Sequence, residues 1–148
     1  MSATPETVVR DYYRALREGD ALAPYFFDDA STVKFGISEA LYGFEDVATA
    51  IAEQTDTTDD WTVESKTLRV ENCGEYATMA DEVTMAWTPI DTGERRRFET
   101  RWSGTLVDRS SATGTDGDEG SIAETDAEAA DRPPWQFRTM HVSVAHEV

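Results

Sequence analysis

Cysteine occurs once, as Cys73, so no internal disulfide can staple the chain, and a reducing, cytoplasmic setting is the simplest expectation. Lysine is nearly as scarce: Lys34 and Lys66 are the only two among thirteen basic residues. No apolar stretch nears the roughly 18 to 20 residues of a membrane span. The opening Met1-Ser2-Ala3-Thr4-Pro5-Glu6 has neither the basic nor the apolar region of a secretion signal. A concentrated basic surface is missing too. The densest run, Arg95-Arg96-Arg97, is short and soon followed by Glu99, which argues against nucleic acid because phosphate binding needs clustered cations. There is no Gly-rich phosphate loop and no Cys/His set for zinc. Acidic pairs such as Asp28-Asp29, Asp59-Asp60 and Asp116/Asp118 lack the spacing of a calcium loop. No metal or cofactor is therefore expected.

What is abundant is acid. Thirty Asp and Glu against thirteen Lys and Arg give a formal charge of −17 over 148 residues. With lysine so rare and the acids spread along the whole chain, the composition suits molar salt. There the Debye length falls to about 3 Å and self-repulsion is screened. An ordinary acidic protein with a charged linker is the blander reading. Four Trp, six Phe and five Tyr supply ample material for one core, and the length suits a single domain.

The pattern starts helical. Thr4 can cap, Pro5 is pre-set for the first turn, and Glu6 suits the positive end of the dipole. Val9, Tyr12, Tyr13 and Leu16 recur at helical spacing until Gly19. Asp20 can cap a second short helix through Leu22 and Phe26, and a strand is expected over Thr32 to Ile37. Gly43 opens a third helix carrying Phe44, Val47, Ala48 and Ile51, which fades into Thr55 to Asp60. From Trp61 the period becomes two, which predicts strands near 61–71, 76–88, 95–108 and 135–146. Helices followed by neighbouring strands make an α+β pattern with an antiparallel sheet. Residues 110–134 hold one aliphatic, Ile122, among acids and small polar residues. This segment is expected to be a disordered hairpin loop, with a partly helical stretch near 122–130 as the alternative.

Three stretches carry a family resemblance. They are Val8-Val9-Arg10-Asp11-Tyr12-Tyr13 through Gly19-Asp20, then Phe35-Gly36-Ile37-Ser38-Glu39 through Gly43, and finally Arg101-Trp102-Ser103-Gly104 with Trp135-Gln136-Phe137-Arg138-Thr139-Met140-His141-Val142-Ser143. In this order and spacing they resemble the SnoaL-like branch of the nuclear transport factor 2-like superfamily. The resemblance implies a cone-shaped curved sheet wrapped around N-terminal helices, with a pocket at its open end, usually in a homodimer joined through the sheets. Functions in that superfamily range from steroid isomerisation and polyketide cyclisation to plain ligand binding, so fold alone fixes no chemistry.

Strand alternation then nominates residues. Trp135, Phe137, Thr139, His141 and Ser143 would share one face of the last strand, a mixed aromatic and polar wall suited to a ligand. By the resemblance Arg101 and His141 belong near the pocket. His141 could transfer a proton, touch a ligand or only brace the sheet. Asp81, amid Met79, Val83, Met85 and Trp87, is either a carboxylate in an apolar wall or one turned out to solvent by a kink. Glu39 could orient Arg101 or bridge a loop, and Tyr13 competes with Tyr12 for an inward hydroxyl. The expected pocket residues are Tyr13, Phe35, Glu39 and Trp87 together with Arg101, Trp135, Phe137 and Ser143, while His141 and Asp81 are the catalytic candidates. The leading functional expectation is a binding protein for a small apolar or aromatic molecule. An isomerase or cyclase moving a proton on a carbonyl compound, and a homodimeric assembly module, are the alternatives.

Overall fold

The computed structural model describes residues 4–109 and 132–145. Most of the expected acidic loop, residues 110–131, lies outside this range, as does His146.

Helix α1 runs Pro5–Glu18. Thr4 caps it reciprocally: the Thr7 N–H donates to the Thr4 hydroxyl at 3.2 Å, and the Thr4 N–H donates to the Thr7 hydroxyl at 2.9 Å. Gly19, at φ 73°, supplies the left-handed residue that ends it. Val8, Val9, Tyr12, Tyr13 and Leu16 form its buried stripe, at the spacing of one helical face. On the outer side Arg14 bonds Asp11, Glu18 and Asp20 at 2.7, 2.8 and 2.9 Å. A single 3-10 turn, Ala23–Tyr25, stands where a second short helix was predicted.

The hairpin of β1 (Val33–Gly36) and β2 (Glu39–Tyr42) precedes α2 (Phe44–Thr57). Then follow β3 (Thr58–Ser65), β4 (Arg69–Asn72), β5 (Tyr76–Pro89), β6 (Arg96–Asp108) and β7 (Trp135–Val144). The sheet order is β2-β1-β7-β6-β5-β3, with β4 beside β5. It is curved and open, the mixed α+β architecture expected. Four details differ from expectation. Strand β2 lies between the expected strand and helix, where no strand was predicted. Residues 58–60, read as part of the polar run into which the helix fades, open β3. The stretch 61–71 is two strands, β3 and β4, rather than one. And β1 runs parallel to β7, with Val33 beside Thr139, in a sheet otherwise paired antiparallel.

Two irregularities bend the sheet. One lies between Asp59 and Thr62 in β3, where Asp60 adopts φ 56°. The other matters more for the site: Thr105 pairs with Thr139 but Leu106 with Phe137, so Arg138 is an extra residue in β7. Phe137, fully buried, faces α1 with Leu106, whereas Thr139 faces outward with Thr105. The core lies between α1 and this concave face, where the Tyr12 ring meets Tyr25, Phe26, Trp102 and Phe137 edge-on at 5.4 to 6.0 Å.

Just past the bulge, β6 and β7 pack so closely that a side chain on Gly104 would sit 2.6 Å from the Thr139 carbonyl oxygen. Gly104→Ala is therefore expected to lower unfolding free energy by about 1–3 kcal/mol, as overpacking does. Urea denaturation monitored by tryptophan fluorescence reads this, and an unchanged midpoint would mean that the strands separate freely there.

Candidate functional site

The concave face of β5 is Met79, Asp81, Val83, Met85 and Trp87, opposed on β6 by Gly104, Trp102, Thr100, Phe98 and Arg96. Helix α1 covers one end of this face and leaves the other open. A cavity of about 330 Å³ results, closed by Tyr12 and Leu16 from α1, Gln54 from α2 and Met140 and Val142 from β7. Its aromatic wall is continuous. Trp61 stacks on Trp87 at 4.7 Å and 17°, and Trp87 meets Phe98 at 5.5 Å. Trp102 lies deeper, its indole N–H donating to the Thr100 hydroxyl at 3.0 Å, which in turn donates to the Val83 carbonyl at 2.6 Å.

The polar part of the cavity comes from the β1–β2 hairpin. Lys34 points inward, and its ammonium, with 8% of the side chain exposed, pairs with Glu39 at 2.6 Å. Register explains the geometry. Glu39 lies directly across from Gly36, two residues beyond Lys34 on the same face. The Glu39 side chain folds back over Gly36, where an added Cβ would lie 2.5 Å from its carboxylate oxygen. Only glycine leaves room for that path.

Of the sequence candidates, Trp87 and Glu39 line the cavity; the others are distributed elsewhere. Bulging at Arg138 splits the supposed wall of β7. Trp135 and Phe137 belong to the buried core under α1, while Thr139, His141 and Ser143 lie on the opposite, outer face. His141 is exposed there, 5.7 Å from the Phe35 ring, so neither residue reaches the cavity. Arg101 is on the same outer face, between Glu82 on β5 and Ser143 on β7, and so is not the partner of Glu39.

Asp81 faces inward and is buried, so the outward kink, which the sequence reading favoured, does not occur. It is nevertheless spoken for. The Tyr13 hydroxyl donates to it at 2.8 Å, the Ser65 hydroxyl at 2.7 Å and the Thr67 N–H at 2.9 Å. Burial first, then the charge of Asp81, pushes the Tyr13 phenol well above the usual tyrosine range. This cluster pins α1 to β3 and β5 beside the cavity rather than within it, and Tyr12 supplies the hydroxyl-bearing residue that lines it.

Sequence reasoning missed Lys34, Trp61, Phe98 and Trp102. The last two had a signal: carrying the Met79-to-Trp87 face across an antiparallel register places Phe98 and Trp102 on it. Among the described residues no three His, Cys, Asp or Glu side chains group as a metal site. No helix there is long and apolar enough to cross a membrane.

A profile of the SnoaL-like domain matches residues 6–112. Among solved structures, a nuclear transport factor 2-like superfamily protein from Salmonella enterica serovar Typhimurium superposes with a TM-score of 0.71. It shares 12% identity, over 96% of this chain and 89% of that one. A ketosteroid isomerase-like protein from Erwinia carotovora atroseptica gives 0.67 at 18% identity, over 96% and 94%. A candidate dehydratase of the same superfamily from Streptomyces avermitilis gives 0.70 at 13%, over 97% and 100%. No curated protein matches the chain. At such identities the structural likeness shows the fold alone.

Removing the Asp81 carboxylate strands three donors at the joint between α1 and the sheet. Asp81→Ala is expected to cost about 2–4 kcal/mol of unfolding free energy, measured by urea denaturation. A loss below about 1 kcal/mol would mean that these donors find other partners.

Proposed function

We propose that this chain, which belongs to the SnoaL-like domain family, binds a small aromatic molecule in the cavity between α1 and the concave sheet. The observation that carries this reading is the stacked wall of Trp61, Trp87 and Phe98 facing open space. Those rings offer a flat apolar surface to which a planar ligand can add its own face. A cavity near 330 Å³ stands at the small end of ligand sites, which span about 300–1,000 Å³. It suits a molecule of one or two fused rings.

A reaction on the bound molecule is the second reading, favoured by one observation. The hydroxyl-bearing Tyr12 and the Lys34–Glu39 pair line the same cavity. A carbonyl ligand there would find donors for its oxygen and, in Glu39, a base for a proton on the adjacent carbon. The names isomerase-like and dehydratase among the structural neighbours are consistent with proton transfer of that kind. In this reading His141 and Asp81 have no part in the chemistry.

Two measurements test these readings. Naphthol, bicyclic and neutral, is expected to quench the cavity tryptophans in a saturable way. Trp87→Leu should weaken that binding about two- to tenfold, a stacking contact being worth roughly 0.5–1.5 kcal/mol beyond buried area. Absence of saturable quenching by naphthol overturns the binding reading. For the second reading, a bicyclic aromatic ketone in deuterium oxide is expected to exchange its α-proton faster with the protein than with the Glu39→Gln variant. Equal rates remove the catalytic reading and leave the binding one standing.

A further inference from the structure

The cavity's charge runs against that of the chain. Over the whole sequence acids exceed bases thirty to thirteen, yet two cations, Lys34 and Arg96, and one carboxylate, Glu39, line the cavity. Arg96 makes no ion pair among the described residues, and unlike Arg17, Arg69 and Arg101, which make none there either, it lines this cavity.

Lys34 sharpens the point. An ammonium has three donors, and only the one to Glu39 is taken among the described residues. Its side chain is almost wholly buried, while that of Glu39 is 36% exposed. The pair is therefore lopsided, with its cation inside and its anion at the edge. A cation buried away from water is costly unless its donors are met.

Tyr12 adds a second donor aimed the same way. The residue is 2% exposed, lines the cavity, and its hydroxyl makes no hydrogen bond with the described residues. Burial, then the negative charge of Glu39, pushes its phenol well above the usual tyrosine range. The hydroxyl thus stays protonated at neutral pH and within electrostatic reach of the pair.

Resting on the binding reading above, we propose that the ligand is an aromatic carboxylate whose anionic oxygens sit against the Lys34 ammonium and the Tyr12 hydroxyl while its ring lies on the Trp87 wall. Arg96, at the cavity lining on the strand next to Trp87, draws the anion in through a surface that otherwise repels it. Glu39 holds the ammonium in place and competes with the ligand for it. The contrary view is that Lys34–Glu39 only clasps the β1–β2 hairpin, in which case ligand charge makes no difference.

The matched pair naphthoate and naphthamide separates the two, since they share shape and differ in charge. With quenching titrations in molar potassium chloride, naphthoate is expected to bind at least about tenfold more tightly than the amide, because charge-assisted hydrogen bonds are roughly twice as strong as neutral ones. Lys34→Met should erase that preference. Should Lys34→Met not fold, Glu39→Gln carries the test: removing the competing carboxylate tightens naphthoate binding severalfold relative to naphthamide. Equal affinities for the two compounds, or a Glu39→Gln variant that weakens naphthoate, overturn the carboxylate proposal while the aromatic pocket survives. Failure of both compounds, and of naphthol, to quench overturns the binding reading with it.

Discussion

Helix α1 presents a stripe of large side chains from Val8 to Leu16, all of which have to leave water, and a flat sheet could cover only part of it. The strands must bend around the helix, and bending consumes regular pairing. The extra residue Arg138 in β7 and the left-handed Asp60 in β3 are where regularity is given up. The open cavity has the same origin. A fourteen-residue helix fills one end of the curved sheet. At the other end the concave side chains Met85, Trp87, Phe98 and Val142 face each other across a gap with nothing to fill it. The cavity is thus a by-product of wrapping a sheet around a helix shorter than itself.

How much of this a reader of the sequence could see depends on whether the information is local. Helix α1 was legible because its cap, its proline and its terminal glycine sit within one short stretch. The apolar alternation of β5 around Asp81 was legible too, but not that this face is the concave one, because the sense of a sheet's curvature depends on distant pairings. The wall of β7 was not. One extra backbone residue turns every later side chain to the other face, and Arg138 carries no mark of being the extra one. His141 and Ser143 therefore moved from supposed ligand contacts to the outer surface. Lys34 was hidden for a different reason. Between Val33 and Phe35 it reads as the polar side of an edge strand, and the hairpin that turns it inward uses Ile37-Ser38, lacking the Asn-Gly signature of tight turns. The clue was the glycine two residues on, which leaves the space that Glu39 occupies.

Buried Asp81 and partly exposed Glu39 show how carboxylates near one cavity can be put to opposite uses. Asp81 accepts three hydrogen bonds, from α1, from β3 and from the bend after β3, and has little capacity left to offer. Glu39 accepts one, from Lys34, and is partly exposed. Geometric saturation, more than burial, separates a carboxylate that holds the structure together from one that can take part in recognition. Salt would widen the contrast. Molar ions screen pairs such as Arg10–Glu6 on the surface, but reach an ammonium with 8% of its side chain exposed far less readily.

The position of β1 has a bearing on biosynthesis. It lies between β2 and β7, joined to the latter in parallel across about a hundred residues of chain. Until the ribosome has released residues 135–144, the hairpin holding Lys34 and Glu39 has no sheet to join. A nascent chain could assemble β3 to β6 by local antiparallel pairing and still lack a recognition site. Contacts of such long range form slowly, and the edge of β6 that awaits β7 would be open to foreign strands in the meantime. Completion of the cavity and escape from aggregation would then be gained together, in the last step of folding.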